Sequence, residues 1–163
     1  MQPSLMPSSD ASPVKIRNSS RTGQIFFLIV LLAVAGIIVS AVSLQRHYAK
    51  SATTYCDFGE KFNCDIVNRS QYSTITIFDI PVAGIGVAGY ALLLVLSTFY
   101  RARVETPMRL LIAAAAGLVF ALYLTYVEAY VLTAWCILCL TSLALITLIT
   151  ALAAIVKWQA RQA

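Results

Sequence analysis

Four cysteines are the residues of this chain best suited to chemistry, and they fall into two pairs. Cys136-Ile137-Leu138-Cys139 spaces two thiols three positions apart, which puts both on one face of a helix. That geometry permits a disulfide, and Cys-x-x-Cys is the usual spacing of redox-active thiols. Thr133 is the expected N-cap, leaving Cys136 near the third helical position. There the helix dipole and free backbone N–H groups favour a thiolate. Cys139 falls one turn deeper among apolar residues, so the two sulfurs should differ in reactivity.

Cys56 and Cys64 are separated by seven residues, among them Asp57, Glu60 and Lys61. Such a polar loop can close a disulfide that water-borne thiols reach. A relay follows: a soluble dithiol meets the loop pair, and the loop pair exchanges with the helix pair. Two structural disulfides in a non-enzymatic membrane scaffold are the alternative. A zinc site with four thiolates fits less well, because structural zinc sites favour two to four residues between paired ligands. With His47 as the one histidine, metal or haem ligation by imidazole is not expected.

The elements that must carry these thiols are apolar. The chain is 60% hydrophobic and 12% charged, against about 25% charged residues in an average soluble domain. Four stretches lack any charge: Ile25–Leu44, Ile80–Tyr100, Leu110–Val127 and Ala129–Val156. A membrane-spanning helix needs roughly 20 residues. The expected fold is therefore all-α and integral to a membrane: a four-transmembrane-helix bundle with a long extracytoplasmic loop between helices 1 and 2. Spans are expected at about 25–45, 80–100, 109–128 and 134–156. They follow a flexible cytoplasmic tail (1–22), enclose an outer loop (46–79) and precede a cytoplasmic tail (158–163). The membrane domain as a whole covers 23–157.

Lysine and arginine set the expected orientation. Lys15, Arg17, Arg21, Arg101, Arg103, Arg109, Lys157 and Arg161 fall on one side, while Arg46, Lys50, Lys61 and Arg69 are spread along the outer loop. The positive-inside rule puts both termini in the cytoplasm and all four cysteines on the other side, where disulfides form. Because the basic residues flank apolar segments and do not cluster, no nucleic-acid partner is expected.

Gly84-Ile85-Gly86-Val87-Ala88-Gly89 has the form of a dinucleotide fingerprint, but it lies inside an apolar span with no strand before it. Ala83, Gly84, Ala88 and Gly89 read better as a close helix-packing face. With no bound-cofactor motif, the electron acceptor is expected to be diffusible and lipid-soluble, and a quinone meets that requirement. Glu128 reads as an interfacial charge, His47 as an interfacial residue, and Tyr123, Tyr126 and Tyr130 as belt or packing residues.

Four elements occur in order: the Cys56 and Cys64 pair, Cys64-Asp65-Ile66-Val67-Asn68-Arg69-Ser70, Ile80-Pro81-Val82-Ala83-Gly84-Ile85-Gly86 and Trp135-Cys136-Ile137-Leu138-Cys139. In these the chain resembles the bacterial branch of the vitamin K epoxide reductase family, over about residues 23–157. The resemblance implies a four-helix bundle around a quinone of the menaquinone, ubiquinone or vitamin K type. It further implies that Cys139 is the thiol beside the quinone and Cys136 its disulfide partner. Cys64 would attack Cys136, Cys56 would exchange with the soluble partner, and Ser70 would lie near the quinone head group. Many members carry a fused thioredoxin-like domain; here a separate thioredoxin-fold, DsbA-like protein is implied, at a bacterial inner membrane. Val82 stands in the region where animal enzymes have a quinone-contacting asparagine, which points to an ordinary membrane quinone. DsbB-type oxidases, also of four spans, have the reverse order of motifs, with Cys-x-x-Cys in the first outer loop.

Overall fold

The computed structural model describes residues 14–48, 67, 74–75, 80–99 and 106–162. Cys56, Cys64, Ser70 and most of the loop expected at 46–79 lie outside the described residues.

Four long helices organise these residues: α1 (Val14–Tyr48), α2 (Val82–Thr98), α3 (Thr106–Val127) and α4 (Ile137–Gln162). Helix α1 starts well before Ile25 and takes in the end of the segment expected to be a flexible tail. Once an apolar helix is nucleated, each added residue gains a hydrogen bond at little cost. Among the described residues, three helical stretches are long and apolar enough to cross a membrane: Arg21–Tyr48, Thr106–Leu132 and Ile137–Gln162. Helix α2 has 17 residues, a rise of about 26 Å, which is shorter than the expected span. Its expected first residues are used elsewhere. Strand β2 (Ile80–Pro81) pairs antiparallel with β1 (Thr74–Ile75), and Pro81, in extended conformation, is the N-cap of α2. Proline lacks the amide that a preceding helical turn would require.

Helix α1 packs against α2 and α4, and α3 packs against α4 and α2. The shared core is built from Ile29 and Ala33 of α1, Leu93 of α2, Leu110 and Ala114 of α3, and Ile149 and Ala153 of α4. Small residues let α1 and α2 approach closely. A Cβ on Gly36 would fall inside the Tyr90 ring, and one on Gly86 would come within 2.9 Å of Ser40 Oγ. The close face is thus formed by Gly36 and Gly86. Gly84 meets only Pro81, a Cβ on Gly89 would meet nothing within 4 Å, and Ala88 and Gly89 are exposed, which corrects the expected packing stripe.

The outside of the bundle is as apolar as its inside. Phe27, Ile38, Ile112, Val119 and Leu148 are all exposed. Such a continuous surface suits hydrocarbon rather than water. Hydroxyls on the helices are satisfied locally, as lipid requires: Thr125, Thr141, Thr147 and Thr150 each donate to the carbonyl four residues back, at 2.7–2.9 Å. At one end of the bundle, Thr22 Oγ1 of α1 donates to Gln159 Oε1 of α4 at 3.2 Å. At the opposite end α1 finishes, α2 begins, α3 finishes and α4 begins.

Candidate redox site

At that second end, α3 runs without a break into a π-helical turn, Glu128–Leu132. Turns of this kind insert a residue and re-aim a side chain, often at functional sites. Thr133 then takes a left-handed conformation (φ 49°, ψ 24°), and α4 starts at Ile137. Cys136 is accordingly the residue that caps α4, its carbonyl accepting from the Leu140 amide at 3.0 Å. It does not occupy the third helical position expected from a Thr133 cap. Thr133 directs its hydroxyl to the Leu132 carbonyl instead, at 2.8 Å.

The cap position gives the Cys136 sulfur its own donors. The Cys139 thiol donates to it, and the amides of Cys139 and Leu138 add to this as they would to any N-cap acceptor. The Cys139 thiol is the main influence holding Cys136 below the ordinary thiol range; burial and the Glu128 charge oppose it. A thiolate at the start of α4 is therefore favoured, as the sequence suggested, through capping rather than through a place inside the helix.

Glu128 is buried, at 2% exposure, and not interfacial as expected from the sequence. The π turn rotates it under the mouth of α4. Its Oε2 accepts from the Cys136 amide at 3.1 Å, and the Cys139 side chain is its other near neighbour. Oε1 has no hydrogen-bond partner among the described residues.

Between the four helices is a cavity of about 420 Å³, within the usual range of roughly 300–1,000 Å³ for small-molecule sites. Its walls are mainly aliphatic and aromatic, from Val82 and Gly89 of α2, Ala113, Gly117 and Phe120 of α3, and Ile146 of α4. A few polar groups interrupt them: Ser40, Ser43 and His47 of α1, Tyr90 of α2, Glu128, and Cys139 and Ser142 of α4. The Tyr90 hydroxyl donates to the Ser142 carbonyl at 2.9 Å and lies 3.0 Å from Ser142 Oγ, which fixes α2 against α4 across the cavity. Cys139 lines the cavity, while Cys136 is fully buried behind it. Both are free cysteines.

Val67, three positions after Cys64, is helical and buried against Ala134 and Cys136, with Leu138 and Cys139 alongside. The loop that carries the second thiol pair therefore touches the mouth of α4. Tyr123, Tyr126 and Tyr130 are all exposed and do not line the cavity; Tyr126 and Tyr130 stack on each other with centroids 4.8 Å apart. Sequence reasoning missed the polar stripe Ser40, Ser43 and His47, although its spacing on an apolar helix marks one inward face.

A model of the vitamin K epoxide reductase family matches residues 27–154, a range that includes every residue lining the cavity. The chain belongs to the vitamin K epoxide reductase family. No curated protein matches it. Vitamin K epoxide reductase family proteins are quinone-linked thiol–disulfide oxidoreductases, and this member is a membrane protein with that general activity. The cavity suits such a ligand: its walls would bury an apolar ring, and the hydroxyls of Tyr90 and Ser142, with the Glu128 carboxyl when protonated, are groups able to donate to ring oxygens.

Proposed function

We propose that the protein reoxidises a separate thioredoxin-fold, DsbA-like partner and so supports disulfide formation in exported proteins. In this reading the chain crosses a bacterial inner membrane four times, with both termini cytoplasmic. The outer loop and all four cysteines face the periplasm. The reduced partner exchanges with the Cys56–Cys64 disulfide through Cys56, leaving both loop thiols reduced. The Cys64 thiolate then attacks Cys136 of a Cys136–Cys139 disulfide, forming a Cys64–Cys136 bond and freeing Cys139. Attack of Cys56 on Cys64 closes the loop disulfide again and releases Cys136. The helix pair, now reduced, is reoxidised at the cavity, with Ser70 near the ligand's head group.

A quinone bound there would supply a two-electron, two-proton acceptor. The chain's residues hold the two sulfurs at different depths. Cys136 is under the loop contact with Val67, and Cys139 is on the cavity wall. That division of places, one sulfur toward the loop and one toward the ligand, is the observation that carries the reading. Each exchange step depends on thiolate character and access, and its direction on the potentials of the couples.

The test is turnover. Purified protein in lipid nanodiscs, given a reduced DsbA-like protein and a soluble ubiquinone analogue, should reduce the quinone. Cys139→Ser should abolish that reduction while leaving the Cys56–Cys64 pair able to exchange with the partner. Normal turnover by Cys139→Ser would overturn the assignment.

A further inference from the structure

Resting on that reading, we propose that Glu128 is a catalytic acid–base residue, taking the proton of the Cys139 thiol as this sulfur gives up its electrons and passing it to an acceptor oxygen in the cavity. Three independent observations meet at this side chain. It is 2% exposed at the mouth of an apolar bundle, where an ionisable group is costly to bury and usually serves a function. One of its oxygens is committed to the Cys136 amide, while the other has no hydrogen-bond partner among the described residues. The same carboxyl group adjoins the Cys139 thiol and lines the cavity. It therefore touches both the sulfur that must lose a proton and the space in which a proton is needed.

The step balances. The Cys136 and Cys139 sulfurs together lose two electrons and form one S–S bond. The quinone gains those two electrons and two protons. Glu128 carries the proton from Cys139 Sγ, and the second proton, taken from water, balances the one that Cys136 released as a thiolate. The hydrogen bond to the Cys136 amide holds the carboxyl group in place throughout, beside the Cys139 thiol and on the cavity wall.

Glu128→Gln separates this role from simple capping, because glutamine can still accept from the Cys136 amide. Its kcat for quinone reduction should fall by about 10²-fold or more, the usual contribution of a positioned proton-transfer group, with little change in quinone KM. Glu128→Asp should recover part of the loss. A second readout needs no quinone. In reduced Cys136→Ser protein, the infrared S–H stretch of Cys139 should move to higher frequency when Glu128→Gln is added, as its carboxylate acceptor is lost. An unchanged kcat, or an unmoved S–H band, overturns the proposal; a drop in kcat with an unmoved band would leave Glu128 only as a brace for the Cys136 amide. Should the wild-type protein reduce no quinone, the reading of the whole site falls, and the S–H band alone decides whether Glu128 holds the thiol proton.

Discussion

The Cys136 amide is hydrogen-bonded to Glu128 Oε2 at 3.1 Å, so a carboxyl group stands directly behind the sulfur that caps α4. The Cys139 thiol and the helix amides favour the Cys136 thiolate, and burial and the Glu128 charge oppose it. The net effect is a lowered pKa, so thiolate should prevail at a lower pH than for a free thiol, which titrates near ~8.5. Mass-spectrometric alkylation of Cys136 in the reduced protein, followed against pH, should accordingly show a midpoint below that of free cysteine. Cys139→Ser should raise the midpoint by weakening the main donor, and Glu128→Gln should lower it by removing the opposing charge. A midpoint at or above the free-thiol value would contradict the capping geometry.

Val67, from the segment between α1 and α2, meets the start of α4. Its side chain is buried against Ala134 and Cys136, so Val67→Asp would place a charge in an apolar contact. In protein carrying Cys56→Ser and Cys139→Ser and treated with a mild oxidant such as copper phenanthroline, the remaining Cys64 and Cys136 should form a disulfide, detectable on non-reducing gels after protease cleavage between them. Adding Val67→Asp should sharply reduce its yield. An undiminished yield would mean that the loop reaches Cys136 by another route.

Two glycines should behave in opposite ways. At Gly36 a new Cβ would enter the Tyr90 ring, displacing the residue that ties α2 to Ser142. Gly36→Ala should destabilise the bundle by about 1–3 kcal/mol, the usual cost of overpacking. At Gly89 a Cβ would meet nothing within 4 Å, yet the position lines the cavity. Gly89→Leu should leave thermal unfolding nearly unchanged and raise the quinone KM by about tenfold, equivalent to ~1.4 kcal/mol of binding. Thermal denaturation in detergent and quinone titration separate the two effects; equal behaviour of the two variants would refute the mapped packing.

Helix positions were legible in the sequence because each helix contains a long stretch free of charge. Their ends were less so. The shortening of α2 depends on Ile80 and Pro81 pairing with Thr74 and Ile75, a contact that no property of the span itself reveals. Cys136 and Cys139 were identifiable as a pair, but not which of them caps the helix. That outcome hinges on Thr133, a β-branched residue in a left-handed conformation that its type disfavours. Glu128 was misread for a related reason. Counted along an ordinary α-helix it ends α3 at the surface, whereas the π turn swings it inward, and a single-residue change in helical pitch leaves no mark on hydropathy. The Ser40, Ser43 and His47 stripe was readable and would have indicated the cavity face of α1.

The hydrogen bond between Thr22 and Gln159 also bears on how the protein can be handled. It joins α1 near its start to α4 near its end, at the end of the bundle remote from the sulfurs; Gln159 is 20 residues beyond Cys139 on α4, about 30 Å at helical rise. Affinity tags or fluorescent proteins joined at either terminus should therefore stay out of reach of Cys136 and of any docked thiol protein. A reporter inserted next to β1 would instead crowd the end of the bundle where Cys136 and Cys139 lie.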